Sequence, residues 1–154
     1  MCTNCCCKMA KSLIPFNLLN ELEQKLVKCA WTSSKKAHCP YSHFPVGAAI
    51  LAQNSKNKTK VFSGCNVENA SYSGTICAER TAAVKAVSEG YTKFLIIAIV
   101  CAKIPGGSPC GFCRQVLREF GADMQILNIS DKDSSVVRWT MNELLPDSFG
   151  PESL

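Results

Sequence analysis

Two cysteine-containing segments must meet in space if their thiols serve one purpose, and this requirement constrains the fold more than any other feature. The first segment reads Cys77-Ala78-Glu79, and the second reads Pro109-Cys110-Gly111-Phe112-Cys113. Cys110 and Cys113 are three positions apart, so they share one face of a first helical turn. Cys77 and Glu79 are two positions apart and cannot point the same way on a regular helix. The pattern therefore predicts one cluster of three thiols that a glutamate approaches from another side.

Three thiolates can hold a zinc ion and leave its fourth position open, which distinguishes a catalytic zinc site from a structural one. A redox pair or a structural zinc knuckle is the alternative for the Cys-x-x-Cys alone. A structural site uses four ligands, however, and the other Cys-x-x-Cys lies at the N-terminus, at Cys2 and Cys5. We therefore predict catalytic Zn²⁺, with Glu79 free to carry protons because it is not needed as a ligand.

The residues around the cluster are predicted to support the thiolates. Both cysteine segments are expected at helix N-termini, whose partial positive charge stabilises thiolates. Arg80 has the donors to hydrogen-bond cysteine sulfur and to offset the excess negative charge of three thiolates on Zn²⁺. A solvated Arg80 is the alternative. Arg114, next to Cys113, is a second candidate for the same role.

Size and composition exclude several classes of protein. A chain of 154 residues suits one domain, and a hydrophobic content of 47% argues against disorder. No apolar run approaches the roughly 20 residues of a membrane span, since the longest covers only residues 94–102. The net charge of +5 is modest and indicates a solvated surface. We therefore expect neither a membrane nor a nucleic acid as a partner.

The chain contains 11 cysteines, an odd number, and its N-terminus lacks the pattern of a secretory signal. This combination predicts a reducing compartment and a cytoplasmic location. Cys29 and Cys101 are expected to be small buried hydrophobes. Residues 1–16 are predicted to form a flexible cysteine-rich tail, and residues 17–154 a single domain. The tail holds four of the cysteines, at Cys2, Cys5, Cys6 and Cys7.

Hydrophobic periodicity and turn residues predict helices alternating with apolar strands. The predicted helices cover residues 17–32, with Asn17 as the cap, 75–89, a segment from Pro109 to about Gly121, and 141–145. The predicted strands cover residues 46–52, 61–67, 94–102 and 124–129. Ser108 is expected to cap the third helix with Pro109 at its first position, and Gly90 to end the second. Helices and strands in this order imply a sheet covered on both faces.

From Tyr41 to Phe149 the chain resembles the cytidine deaminases of the small homotetrameric, zinc-dependent class. The matching stretches are residues 41–49, 64–70, 77–82, 109–115 and 144–146, together with Phe149. The resemblance implies an α/β three-layer sandwich with a mixed five-stranded sheet between helices. It also implies that the domain is a zinc-dependent deaminase whose Zn²⁺ is held by Cys77, Cys110 and Cys113.

The resemblance further implies a set of substrate-binding residues, namely Phe44, Asn66, Glu68, Ala70, Tyr72, Ala78 and Phe149. Phe44 would pack against a pyrimidine ring, while Asn66 and Glu68 would bind the ribose 3′-hydroxyl. The alternatives are an ordinary core residue for Phe44 and turn or surface roles for Asn66 and Glu68. Tyr72 and Phe149, with Ala70, would reach the pocket of a neighbouring subunit. The alternative for Phe149 is a terminal residue packed on its own chain.

The implied reaction is hydrolytic deamination of cytidine and deoxycytidine to uridine and deoxyuridine plus ammonia, a step of pyrimidine salvage. Zinc would activate the attacking water, and Glu79 would move its proton to N3 and then protonate the leaving amino group. The alternatives are a deaminase of the same fold for another cytosine nucleoside such as blasticidin S, a nucleic-acid editing deaminase, and a non-catalytic zinc module. Asn66 and Glu68 argue against another cytosine nucleoside as the substrate. Glu68 also argues against nucleic-acid editing, and Glu79 argues against a non-catalytic zinc module.

Overall fold

The computed structural model describes residues 11–104, 106–130 and 134–154. Within these ranges the chain forms four α-helices, three short 3-10 helices and one five-stranded sheet. In chain order they are α1 (Glu21–Ser34), β1 (Val46–Asn54), β2 (Thr59–Cys65), α2 (Ala78–Ser88), β3 (Tyr91–Cys101), α3 (Gly111–Arg118), β4 (Gln125–Ile129), β5 (Val136–Thr140) and α4 (Met141–Leu144). The predicted α/β class is confirmed.

The first helix begins later than predicted, because a different asparagine caps it. Asn20 is the cap, and its side chain accepts a hydrogen bond from the Glu23 amide at 2.9 Å. The Glu23 carboxylate in turn accepts from the Asn20 amide at 3.1 Å, which completes a capping box. Asn17 lies in a separate 3-10 turn, Phe16–Leu18, so its predicted capping role is wrong.

The second and third helices also begin later than predicted, and each begins next to a zinc-ligand candidate. Residues before α2 are extended because Ile76 donates to the Val67 carbonyl oxygen at 2.9 Å, so Cys77 becomes the cap. Cys110 is the cap of α3. The prediction that Pro109 occupies the first helical position is therefore wrong, since it precedes the cap. Cys113 is the third residue of that helix.

The sheet has the strand order β2-β1-β3-β4-β5. β3 and β4 are parallel, and the other neighbouring pairs are antiparallel, which makes the sheet mixed. The periodicity of the sequence missed β5, although the resemblance implied five strands. β5 is an edge strand with one buried and three half-buried residues, so its apolar signal is weak.

Helices cover both faces of the sheet, as predicted. The α1 side of the sheet packs Leu26, Val27 and Ala30 against strand residues such as Ala49 and Val100. The opposite side packs α2, α3 and α4 against the other strand residues, among them Ile50, Ile97 and Ile126. Apolar residues alternate between the two sides along β1, which is the expected period of two. In β3 the alternation is interrupted at Leu95 and Ile96, which pack on the same side where the register with β1 shifts.

Two adjacent glycines let these helices approach the sheet closely. A Cβ on Gly47 would lie 2.0 Å from the Ala30 carbonyl oxygen of α1. A Cβ on Gly64 would lie 2.6 Å from the Ala78 carbonyl oxygen, in the first turn of α2. Gly47 in β1 pairs with Cys65, the neighbour of Gly64 in β2. Because Gly64 has no side chain, the first turn of α2 can pack directly against the sheet.

Part of the predicted tail contacts the domain. Ile14 exchanges two backbone hydrogen bonds with Val136 of β5, both at 2.9 Å. Lys11 forms an ion pair with Glu143 at 2.5 Å and lies over the Trp139 ring. Residues 1–10, with their four cysteines, lie outside the described residues. Of the described helices, none is long and apolar enough to cross a membrane.

Candidate active site

Three cysteines converge from the N-termini of two helices. Cys77 caps α2, while Cys110 caps α3 and Cys113 lies in its first turn. Their sulfur atoms all lie within 4.8 Å of one another, and the sulfurs of Cys77 and Cys110 are 4.0 Å apart. The predicted cluster of three thiols is thus present in the fold.

The geometry of this cluster fits zinc. A tetrahedral zinc ion with zinc–sulfur bonds of about 2.3 Å places its sulfur ligands about 3.8 Å apart, close to the 4.0 Å between Cys77 and Cys110. The hydrogen bond from Cys113 lowers the pKa of Cys77 to about 5. The same contact raises the pKa of Cys113, because a second thiolate would lie beside the first. A divalent cation removes this conflict by stabilising all the thiolates together.

Arg80 supports the thiolates from the side. One of its terminal nitrogens donates to the Thr75 carbonyl oxygen at 2.8 Å and lies 3.8 Å from the Cys77 sulfur. The guanidinium also stacks over the Phe112 ring, 4.4 Å from its centroid. Its positive charge contributes to the low pKa of Cys77. The solvated alternative for Arg80 is therefore not what the structure shows, whereas Arg114 bonds to Ser108, Pro109 and Leu144.

We expect Arg80→Ala to lower turnover by about 10- to 100-fold, the usual cost of removing an outer partner of a metal ligand. The substitution leaves the ligand set intact but removes the positive charge beside Cys77. Steady-state rates and zinc content would be measured together, with Lys85→Ala, one turn further along α2, as the control. Unchanged turnover in the Arg80 variant would contradict the supporting role.

Glu79 lies beside the cluster and is almost completely buried, with 4% of its surface exposed. Burial is the main reason why its pKa rises to about 7, and the negative charge on Cys77 adds to the effect. A carboxyl group with a pKa near neutrality can both accept and return a proton under physiological conditions. Glu79 is not among the three metal-ligand candidates, so the two predicted roles fall to different residues.

A cavity of about 340 Å³ opens in front of Glu79, Cys77 and Cys110. Its lining includes the predicted residues Phe44, Asn66, Glu68, Cys77, Ala78, Glu79 and Cys110. The other lining residues, which were not selected from the sequence as site residues, are Ser42, Val46, Thr75, Cys101 and Ser108. Ser42 lies inside the stretch 41–49 that carries the resemblance, so that stretch was the available signal. Burial raises the pKa of the Cys101 thiol to about 11.

Asn66 and Glu68 hold the loop that presents Phe44. The Asn66 side chain accepts from the Val46 amide at 2.8 Å and donates to the Phe44 carbonyl oxygen at 3.0 Å. The Glu68 carboxylate accepts from the Ser42 hydroxyl and from the Ser42 amide, the latter at 3.2 Å. These hydrogen bonds, the hydroxyl's first, lower the pKa of Glu68. Both residues thus shape the cavity by fixing the loop in place.

The remaining predicted site residues lie outside this cavity. Tyr72 and Phe149 are exposed large side chains, with 76% and 62% of their surface accessible. Ala70 is exposed as well. Tyr72 stacks at an angle on Tyr41, with 5.9 Å between the ring centroids. Within one chain the structure does not bring Ala70 or Phe149 to the thiols or to the cavity.

Comparison with known proteins identifies the family. A sequence model described as the cytidine and deoxycytidylate deaminase zinc-binding region matches residues 20–128. The chain belongs to the cytidine deaminase family. It is 47% identical over 135 residues to a probable cytidine deaminase of Dictyostelium discoideum, covering 87% of each chain. It is 40% identical over 131 residues to a cytidine deaminase of Sporosarcina psychrophila, covering 85% of this chain and 93% of that one.

Solved structures agree with this assignment. The fold matches the crystal structure of cytidine deaminase from Burkholderia pseudomallei with a TM-score of 0.72 and 38% sequence identity. The match covers 85% of this chain and all of that one. The predicted family, the fold class with its mixed five-stranded sheet, the zinc cofactor and the assignment as a hydrolytic enzyme are thereby confirmed.

Proposed function

We propose that this protein hydrolytically deaminates cytidine and deoxycytidine to uridine and deoxyuridine, releasing ammonia as a step of pyrimidine salvage. One observation carries the proposal: the buried Glu79, whose pKa rises to about 7, lines one cavity with Cys77 and Cys110, two of the three converging thiols. A water nucleophile and a proton carrier are what the replacement of an amino group by oxygen requires. The relatives named above as cytidine deaminases support the choice of substrate.

The residues of the cavity divide the chemistry between them. Zinc held by Cys77, Cys110 and Cys113 would lower the pKa of a water molecule and so supply the nucleophile at C4 of the base. Glu79 accepts a proton from the water and delivers it to N3 of the ring. Glu79 then takes the remaining proton from the new C4 hydroxyl and passes it to the amino group, which leaves as ammonia while C4 becomes a carbonyl. Because Glu79 is buried, its carboxyl group changes protonation state at little energetic cost near pH 7.

Residues of the cavity that do not take part in the proton transfers would bind the nucleoside. We place the pyrimidine ring against Phe44, with Ala78 lining the cavity next to Glu79. Asn66 uses one of its two amide hydrogens on the Phe44 carbonyl, so one remains for the ribose 3′-hydroxyl. Glu68 is an acceptor for the same hydroxyl. Its low pKa keeps it ionised at neutral pH.

We further propose that the active unit is a homotetramer with shared active sites. Large apolar side chains around α2, α3 and the loop before α2 are exposed, which is typical of surfaces that bind other chains. They include Tyr41, Val67, Tyr72, Ile76, Val84, Phe112 and Phe149. In such an assembly Tyr72 and Phe149, with Ala70, would complete a neighbouring subunit's pocket.

We place the enzyme in the cytoplasm, without a nucleic-acid or membrane partner. The three ligand thiols must stay reduced to bind zinc, and a reducing compartment provides that condition. The +5 net charge is small for a protein that binds a polyanion through many phosphates.

We expect cytidine and deoxycytidine to be substrates, and cytidine 3′-monophosphate and cytosine-containing oligonucleotides not to be. A 3′-phosphate would bring a negative charge to the ionised Glu68 and offer it no hydrogen to accept, which is unfavourable at short range. Ultraviolet spectroscopy of the four compounds with purified protein would measure this. Efficient deamination of a single-stranded oligonucleotide would instead indicate nucleic-acid editing. Absence of activity on all four compounds would contradict the proposed function.

A further inference from the structure

Side chains of α3 hold the C-terminal segment, residues 144–152, along its length. The Arg114 guanidinium donates to the Leu144 carbonyl oxygen at 2.8 Å. Gln115 donates to the Phe149 carbonyl oxygen at 3.0 Å. One turn later, Arg118 donates to the Ser148 hydroxyl at 2.8 Å and forms an ion pair with Glu152. These contacts span more than 25 residues of sequence each, so they are tertiary and not a consequence of local chain geometry.

We propose that Gln115 and Arg118 are positioning residues that fix the direction in which Phe149 leaves the surface. This inference rests on the proposed function, in which Phe149 enters the pocket of a neighbouring subunit. Phe149 itself is 62% exposed, so packing of its ring on its own chain does not determine where it points. The backbone on either side must do so, and α3 holds that backbone.

The contacts fix the residues on both sides of Phe149. Ser148 and Gly150 flank it, and Arg118 lies against both. Arg118 is 8% exposed, which makes it one of the few buried charged residues. A Cβ on Gly150 would lie 3.0 Å from the central guanidinium carbon of Arg118. The planar guanidinium therefore packs closely on the backbone, and it loses little freedom for each hydrogen bond that it makes.

The chain path before Phe149 is restricted as well. Asp147 has a φ of 50°, in the left-handed region that aspartate adopts more readily than most residues. This turn includes Pro146. With a turn before it and Arg118 against both Ser148 and Gly150, the backbone of Phe149 has few alternative conformations.

One short helix thus serves two sites. α3 has eight residues, with Cys110 as its cap and Arg118 at its last position. Its first turn supplies two zinc-ligand candidates to its own subunit. Gln115 and Arg118, later in the helix, orient Phe149, which would enter the pocket of the neighbouring subunit. A change at Arg118 should therefore alter substrate binding without disturbing the metal.

A double-mutant cycle with Phe149 tests this inference. We would measure kcat and KM for cytidine in the wild type, Gln115→Ala, Arg118→Met, Phe149→Ala and the two doubles with Phe149→Ala. Methionine keeps the apolar stem of arginine but removes its donors. Glu119→Gln, on the same helix and exposed, is the control. Zinc content and sedimentation would be measured for every variant.

We expect each positioning variant to lower kcat/KM by about 3- to 30-fold, which lies within the range of coupling between residues of one hydrogen-bond network. The loss should lie mainly in KM, with zinc content and oligomeric state unchanged. In the Phe149→Ala background the same substitutions should have little further effect. A merely structural role would lower activity equally in both backgrounds.

The outcomes separate this inference from the proposed function. Additive losses, or a Phe149→Ala variant as active as the wild type, would overturn the positioning role and leave the deaminase assignment standing. A wild type inactive on cytidine would overturn the proposed function itself. If Arg118→Met fails to fold, Gln115→Ala alone decides, since Gln115 is exposed.

Discussion

Glu79→Gln is expected to abolish nearly all turnover while the fold and the zinc content stay intact. Glutamine has almost the same size as glutamate and can occupy the same buried position, but an amide cannot take up and return a proton. A positioned proton carrier contributes about 10²–10⁴-fold to the rate. Glu79 acts at two points of the proposed reaction, so we expect a loss toward the upper end of that range.

Steady-state kinetics with cytidine, circular dichroism and zinc analysis on one preparation would test this. Glu89→Gln is the matched control, because it makes the same chemical change in an exposed ion pair with Lys60, and such pairs contribute little. If the Glu79 variant retains turnover within about tenfold of the wild type, below the range above, Glu79 is not the proton carrier.

Cys110→Ala is expected to remove about one zinc per chain and to reduce activity by more than about 100-fold, which is the upper end of the effect of losing a ligand's partner. Two thiolates with an open coordination sphere bind zinc more weakly than three. Cys110 is exposed, so its truncation leaves no cavity in the core. Cys113, which is buried, would confound loss of metal with loss of packing.

The measurement is a difference in zinc content between wild type and variant, so that zinc bound elsewhere in the chain cancels. Cys65→Ala is the control. Its thiol is half-buried and donates to the Lys36 carbonyl oxygen, and it lies outside the three-thiol cluster. Equal zinc in the Cys110 variant and the wild type, with normal activity, would remove Cys110 from the ligand set.

Much of the fold was predictable from the sequence because its strongest signals are local. The apolar run that becomes β3 and the stop at Gly90, with a φ of 82°, need no tertiary information. The first residues of α2 and α3 were harder to predict from the sequence. A β-bridge from Val67 keeps Ile76 extended, and that contact forms only when the loop after β2 folds back on itself. β5 escaped detection because an edge strand buries few of its side chains.

The site was predictable where the spacing of residues sets the chemistry. Three cysteines and one glutamate imply a metal and a proton carrier whatever the fold. The part played by Ser42, whose hydroxyl donates to Glu68 and accepts from the Phe44 amide at 3.0 Å, was not predictable. A serine in a loop has many possible partners, and only the folded loop selects one.

Following cytidine with the purified protein before and after removal of zinc tests zinc-dependent deamination most directly. We expect uridine and ammonia in equal amounts from the zinc-loaded protein, loss of both products after chelation, and recovery when zinc alone is restored. Undiminished deamination by protein shown to lack zinc, or no deamination by protein carrying one zinc per chain, would contradict this expectation.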